Sequence, residues 1–528
     1  MKPVSNLNSN PPTPRIQYRQ YSARLPPPMA SYPNDIGVST LDATQAFDGL
    51  SPKEKLYALH IANASWAGAL ICLFQCSYEA PVIFTLLQLT FSGEKDDGFA
   101  RLKTAAGMSE EDWTAFLTFA AAFYANFGNY KSFGDSKIIP AIPAEAFYKV
   151  LTASTAYAAN KAVMNELWEA VRELLYSTEP VKVLDFPPSG STSYYSANAT
   201  KDDAAAVQAF MDAQDISGYN TRLFKEADGS FVVRLAAAEE SSTGPIAEGV
   251  VGADQVPVKV VPGDYAPLMA RVVAALEQAK AQAANPEQEA MLTHYCTSFR
   301  TGSIEAHMEG SRAWVQDKGP AVESYIGFIE SYRDPFGVRG EWEGFVAVVN
   351  RVMSEKFTLL VDTAESLLPL LPWPATFEKD RFLRPDFTSL DVLSFGSSGI
   401  PAGINIPNYD SIRQNEGFKN VSLGNGRYHI LLWGGRAETW RIGFAFLVIG
   451  TDEMRRHLLC SSMHGSPPLA LPPSNKDTHL HFLPSPPLPP FPSPNPQHAP
   501  QKSWPPPSPP RPSTFCVATT GTKLCSRL

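Results

Sequence analysis

Up to about Asp215 apolar positions recur at helical spacing. Ser51-Pro52-Lys53-Glu54 opens the first clear helix: Ser can cap, Pro fits the first turn, and Glu54 can reach back to the Ser51 amide. Its apolar pattern runs to about Cys76. Ser109 with Asp112 opens a second helix that ends near Gly128. A third covers about Asn165 to Tyr176, and Thr200 with Asp203 opens a fourth. The period then shortens. Tyr219 to Lys225, a turn at Asp228-Gly229 and Phe231 to Leu235 read as a hairpin, and Val256 to Val261 as a further strand. Helices return at about Ala266 to Ala284 and Pro286 to Phe299, and a long one is predicted from Gly344 to Leu368. Pro369, Pro372, Pro374 and Pro385 punctuate the turn-rich passage that follows. The class predicted is α+β, mostly helical with a small sheet.

The chain has 528 residues, 44% of them hydrophobic, which is room for one large domain or two ordinary ones. A net charge of −9 argues against a nucleic-acid binder. The pattern shows no run of about 18 apolar residues, so no membrane span is expected. Six cysteines are too few for a disulfide framework in so long a chain. Cys72 and Cys76 read as two buried thiols on one helix. This usage, with no secretory signal after Met1, predicts a cytoplasmic protein. Residues 1 to 34 carry Arg15, Arg19 and Arg24 and no acid, which leaves a mitochondrial leader as the alternative. From Pro467 to Pro512 proline and serine dominate, and such a stretch cannot bury enough apolar area to order itself.

Several blocks resemble one known family. They are Asn129 to Asp135 (NYKSFGD), Tyr219 to Glu226 (YNTRLFKE), Gly302 to Asn350, which contains VESYIGFIESYRDPFG, and Pro385 to Asn425, which contains SGIPAGINIPNYD. The family is the zinc-dependent dipeptidyl peptidases III, and the resemblance covers about Thr40 to Asn425. It implies a first lobe with a small β-barrel over residues 40–343, a helix of the zinc lobe over 344–380, and a return to the first lobe over 381–425. A disordered leader (1–39) and a Pro-rich, disordered tail (426–528) would flank them. It also implies release of dipeptides from the free N-terminus of short peptides, with zinc as cofactor and with no nucleic-acid or membrane partner.

The resemblance assigns roles residue by residue. Glu323 would pair with the substrate's terminal ammonium. Tyr325 would donate to the scissile carbonyl as it becomes an oxyanion. Asn405 and Asn408 would hold the substrate's N-terminal end. Backbone from Gly399 through Ile400, Ala402 and Ile404 to Asn405 would be the strand that the peptide joins. Read from the residues alone, Glu323 could be a solvated acid and Tyr325 a core tyrosine. Asn405 and Asn408 flank Pro407, so turn-making is a natural role for them.

The family's zinc motif, H-E-L-L-G-H, does not occur. None of the nine histidines is followed by Glu: His60, His294, His307, His429, His457, His464, His479, His481 and His498. No metal is therefore expected to bind this chain, and cleavage is not expected of it. A non-catalytic, peptide-binding half-cleft is the alternative function. The resemblance stops sharply at Asn425, as translated intron or an alternative exon would produce. The helix assigned to the zinc lobe should then leave an apolar stripe exposed, which predicts association or chaperone capture.

Overall fold

A computed structural model describes residues 31–34, 41–94, 98–132, 135–177, 183–241, 244–378, 386–426, 514–519 and 522–527. The leader apart from residues 31–34, the Pro-rich tract, Phe133, Gly134 and Pro385 lie outside the described residues.

The helical part begins with α1 (Thr44–Asp48) and α2 (Pro52–Cys76). Ser51 Oγ accepts the Glu54 amide and the Glu54 carboxylate accepts the Ser51 amide, the capping box that the sequence predicts. By length and composition alone α2 is apolar enough to cross a membrane, and 67% of that apolar window is buried within the fold, as in a core helix. Around it stand α3 (Ala80–Ser92), α4 (Gly98–Ala106), α5 (Glu110–Asn126), α6 (Ala144–Ala153), α7 (Tyr157–Tyr176) and α8 (Lys201–Ala213). Phe147 of α6 meets Phe116 and Phe119 of α5 and stacks on Trp168 of α7. α7 starts before Asn165, because helical turns resume across a kink at Asn160, whose side chain bonds the Ala156 carbonyl.

A first sheet holds β1 (Thr221–Lys225), β2 (Phe231–Ala236), β3 (Ala247–Val251) and β4 (Val256–Asp264) in the order β1-β2-β4-β3. The predicted hairpin is β1–β2, antiparallel, and β2 runs parallel to β4. β3 has little β-propensity in Ala-Glu-Gly and escaped the sequence reading. Next come α9 (Ala266–Lys280), α10 (Pro286–Thr301) and α11 (Ile304–Gln316).

The second sheet holds β5 (Val322–Glu330) and β6 (Glu341–Val349). After α12 (Arg351–Leu367) it takes β7 (Asp386–Phe395), β8 (Gly403–Ile406) and, past α13 (Asp410–Asn415), β9 (Lys419–Leu423). The order is β5-β6-β7-β9-β8. One expectation is corrected here. The helix predicted from Gly344 begins at Arg351, capped by Asn350, and the boundary at 343/344 falls inside β6. The run Gly344 to Val349 is covered on both faces, so it shows no strand alternation. Of residues 399–405, which the resemblance makes the strand that a peptide joins, 403–405 lie in β8. Gly399 lies in the left-handed region at φ 76° and Pro401 has no amide to offer, so pairing starts at Gly403.

Beyond Asn425 the tail was expected to lack regular structure. Its end instead forms an antiparallel hairpin, β10 (Thr514–Thr519) with β11 (Thr522–Arg527). The whole is α+β, mainly helical, with a curled sheet that the helices flank.

Candidate functional site

The site grows from one face of α11. His307, Ser311 and Trp314 fall at i, i+4 and i+7, so they line up along the helix. Each reaches β5 or its side chains. His307 Nε2 bonds the Ile326 carbonyl at 2.8 Å. Ser311 Oγ and the Tyr325 hydroxyl lie 2.8 Å apart. Trp314 Nε1 donates to Glu323 Oε1 at 2.6 Å. β5 is an edge strand of its sheet, and of these contacts the one from His307 reaches its main chain while the other two hold its side chains.

Proton positions follow from the partners. A carbonyl can only accept, so His307 carries its proton on Nε2, and Nδ1 accepts from Tyr409 Oη at 2.9 Å. Burial pulls the imidazole down to about 4, so it is neutral at neutral pH. Ser311 spends its one hydroxyl proton on the His307 carbonyl at 2.9 Å, which leaves Tyr325 to donate to Ser311. Burial pushes the Tyr325 phenol up, so it keeps that proton.

Glu323 is 2% exposed. Its Oε2 accepts from Lys419 Nζ at 2.9 Å, its Oε1 from Trp314 and from the Ser324 amide. Burial pushes this carboxyl up, while the Lys419 ammonium and the hydrogen bonds of Lys419 and Trp314 oppose that. Lys419, 1% exposed, also donates to the Asp317 carbonyl at 2.7 Å and lies 4.5 Å from the centroid of the Trp314 ring.

The other predicted residues stand on β8 and the turns beside it. Asn405 is exposed, its side chain bonded to Asn420 and its carbonyl to Arg413 at 2.9 Å. Asn408 Nδ2 donates to the Ile329 carbonyl of β5 at 3.2 Å. Ile404 pairs with Val421, and the Ala402 carbonyl accepts the Leu423 amide at 3.1 Å. The Gly399 amide is tied to the Ala125 carbonyl at 2.9 Å, and Ile400 is half-buried against the core. Thus Glu323, Tyr325 and Asn408 meet around β5, Asn405 and Ile404 sit on the outermost strand, and Gly399 turns away toward α5. Sequence reading missed Trp314, Ser311, His307 and Lys419. The i, i+4, i+7 spacing on the helix just before E-S-Y could have disclosed three of them.

Among the described residues, no group of three or more His, Cys, Asp and Glu side chains gathers within reach of a metal. The zinc that the resemblance implies therefore finds no fit among them.

A family model for peptidase family M49 matches residues 167–428, which takes in both sheets and every residue of this site. The chain belongs to peptidase family M49. It is 54% identical over 403 residues to dipeptidyl peptidase 3 of Homo sapiens, an alignment covering 74% of this chain and 55% of that protein. It is 53% identical to the Nematostella vectensis protein of that name over 409 residues, covering 74% and 56%. The Dictyostelium discoideum one is 47% identical over 397 residues, covering 74% and 55%. This M49 chain therefore spans about half the length of the curated relatives it matches. A solved dipeptidyl peptidase III from Caldithrix abyssi is similar at TM-score 0.46 and 15% identity, over 74% of this chain and 58% of that one.

Proposed function

We propose that this chain carries the peptide-holding half of an M49 dipeptidyl peptidase cleft and binds short peptides without cleaving them. The observation that carries the reading is β8. It is an edge strand of the second sheet, exposed at Gly403 and Asn405, and it pairs with β9, whose Lys419 bonds Glu323. An extended peptide added to that edge would gain main-chain hydrogen bonds without strong sequence preference. Asn405 would hold the peptide's N-terminal end, Glu323 would pair with its ammonium, and Tyr325 would face the scissile carbonyl.

Release of N-terminal dipeptides belongs, in this reading, to a zinc-bearing whole protein. Zinc there would activate the attacking water. Support for a non-cleaving chain comes from its histidines, none of which precedes a glutamate. Every polar group assigned to substrate is also already engaged within the fold, Tyr325 by Ser311, Glu323 by Lys419, Asn405 by Asn420 and Asn408 by Ile329. A peptide must break such contacts, so its affinity should be weak.

Two measurements test this. Metal analysis of the purified chain is expected to find no stoichiometric zinc, and one tight zinc per chain would overturn the non-cleaving reading. Calorimetry with a tetrapeptide is expected to show weak binding that Asn405→Ala reduces further. Binding unaffected by that substitution would remove β8 from the site.

A further inference from the structure

Lys419 lies where few lysines lie. Its ammonium is withdrawn from water and meets three unlike groups. One is the Glu323 carboxylate at 2.9 Å, the second the Asp317 main-chain carbonyl at 2.7 Å, the third the face of the Trp314 ring at 4.5 Å. A carboxylate supplies charge, a carbonyl a directed acceptor, and an indole face the weaker attraction of its quadrupole. Together they form a receptor for a primary ammonium ion. Nothing in that chemistry requires that the ammonium belong to a lysine side chain.

The cage is also built to stay in place. Trp314 is fixed at both its functions, with Nε1 on Glu323 and its ring beside Tyr325 at 4.7 Å. Asp317 is fixed through its carboxylate, which accepts from Asn285 Nδ2 at 2.7 Å and from Gln288 Nε2 at 3.0 Å. Its carbonyl is thereby held toward Lys419. Lys419 itself reaches in from β9, paired with Ile406 of β8, and so enters from the strand next to the exposed edge.

We propose that Trp314, Glu323 and the Asp317 carbonyl form an ammonium cage which Lys419 fills as a tethered ligand, so that a peptide's terminal ammonium enters only by displacing Lys419. The displacement rests on the peptide-binding reading above; the cage does not. Lys419 and the incoming ammonium carry the same charge and the same donors, so the exchange leaves Glu323 neutralised throughout. It avoids the large penalty of a buried, unpaired carboxylate. A ligand with a blocked N-terminus has nothing to offer in exchange, and the cage then selects free N-termini by competition.

The cage is tested by chemical rescue. Lys419→Ala should lower the Tm, and n-butylammonium chloride should raise it again in a concentration-dependent way. Tetramethylammonium chloride, which cannot donate a hydrogen bond, should not. Neither salt should stabilise wild type or the Lys419→Ala/Glu323→Gln double variant in this way. If Lys419→Ala does not fold, Lys419→Met keeps the stem and serves in its place. Absence of rescue in the folded variant would overturn the cage.

Displacement is tested by calorimetry with tetra-alanine and its N-acetyl form. Lys419→Met should bind the free-amine peptide at least tenfold more tightly than wild type, with no gain for the acetylated one. Equal affinity in the two proteins would overturn displacement and leave peptide binding intact. Rescue by butylammonium without peptide binding to either protein would overturn displacement and the peptide reading together.

Discussion

Glu343 shows what burial does to one side chain. It sits on β6 opposite Gly327, 8% exposed, and its Oε1 has no hydrogen-bond partner among the described residues. Burial first, then the charges of Glu330 and Glu341, push its carboxyl up to about 8. In the unfolded chain a glutamate titrates near about 4.3. Between those values the folded state keeps a proton that the unfolded state has lost, so stability falls as pH rises across that window. Glu343→Gln removes the effect. The variant should melt above wild type at pH about 8 and close to it at pH about 5, as thermal scans would show. Equal melting at both pH values would mean that the carboxyl is not held neutral. His307 works in the opposite sense, since burial lowers it, and the comparison with wild type cancels its share. At this scale the sequence was legible where a side chain's partners are local or its block is long. Glu323, Tyr325, Asn405 and Asn408 stand out within E-S-Y-I-G-F and I-N-I-P-N. Lys419 does not, because what makes it unusual is a carboxylate on another strand, far away along the chain.

Among the elements, α11 and α2 hold the second sheet in different ways. α11 docks by polar contacts, so one of them can be removed singly. Trp314→Phe keeps an aromatic ring at the site and deletes the Nε1 donor to Glu323. A hydrogen bond to a charged group contributes roughly 1.5–3 kcal/mol, and urea denaturation should show a loss of that order. No measurable loss would mean that Lys419 and the Ser324 amide hold the carboxylate without Trp314. α2 docks by shape. A Cβ on Gly68 would lie 2.0 Å from the Trp342 ring, whose Nε1 donates to the Ser65 carbonyl at 3.2 Å. Gly68→Ala should therefore cost roughly 1–3 kcal/mol, as overpacking does. A neutral result in the same denaturation assay would show that α2 can slide on β6. The helix starts were readable because capping is local, as Ser51 with Glu54 and Thr200 with Asp203 demonstrate. β5 and β6 were not, because a strand covered on both faces loses the alternation that identifies it.

For the molecule as a whole, the apolar surface is unevenly covered. Two buried clusters account for the helical part with the second sheet and for the first sheet with α8. The stretch from α12 through the turns after it lies apart from both. Val352 is 68% exposed, Leu359 69%, Leu370 77% and Phe377 78%. α12 is amphipathic, yet the apolar side chains named here face solvent. Single exposed apolar residues are ordinary, but a run of them along one helix and its extension marks an association surface. The chain should therefore self-associate as its concentration rises. Sedimentation velocity over a hundredfold range of concentration would reveal it, and Leu359→Lys with Phe377→Lys should shift the distribution toward monomer. These two substitutions lie away from α11, β5 and Lys419, so peptide binding should survive them. A wild-type chain that stays monomeric throughout would show that this surface is tolerated in water, and the exposed stripe would then have no consequence for assembly.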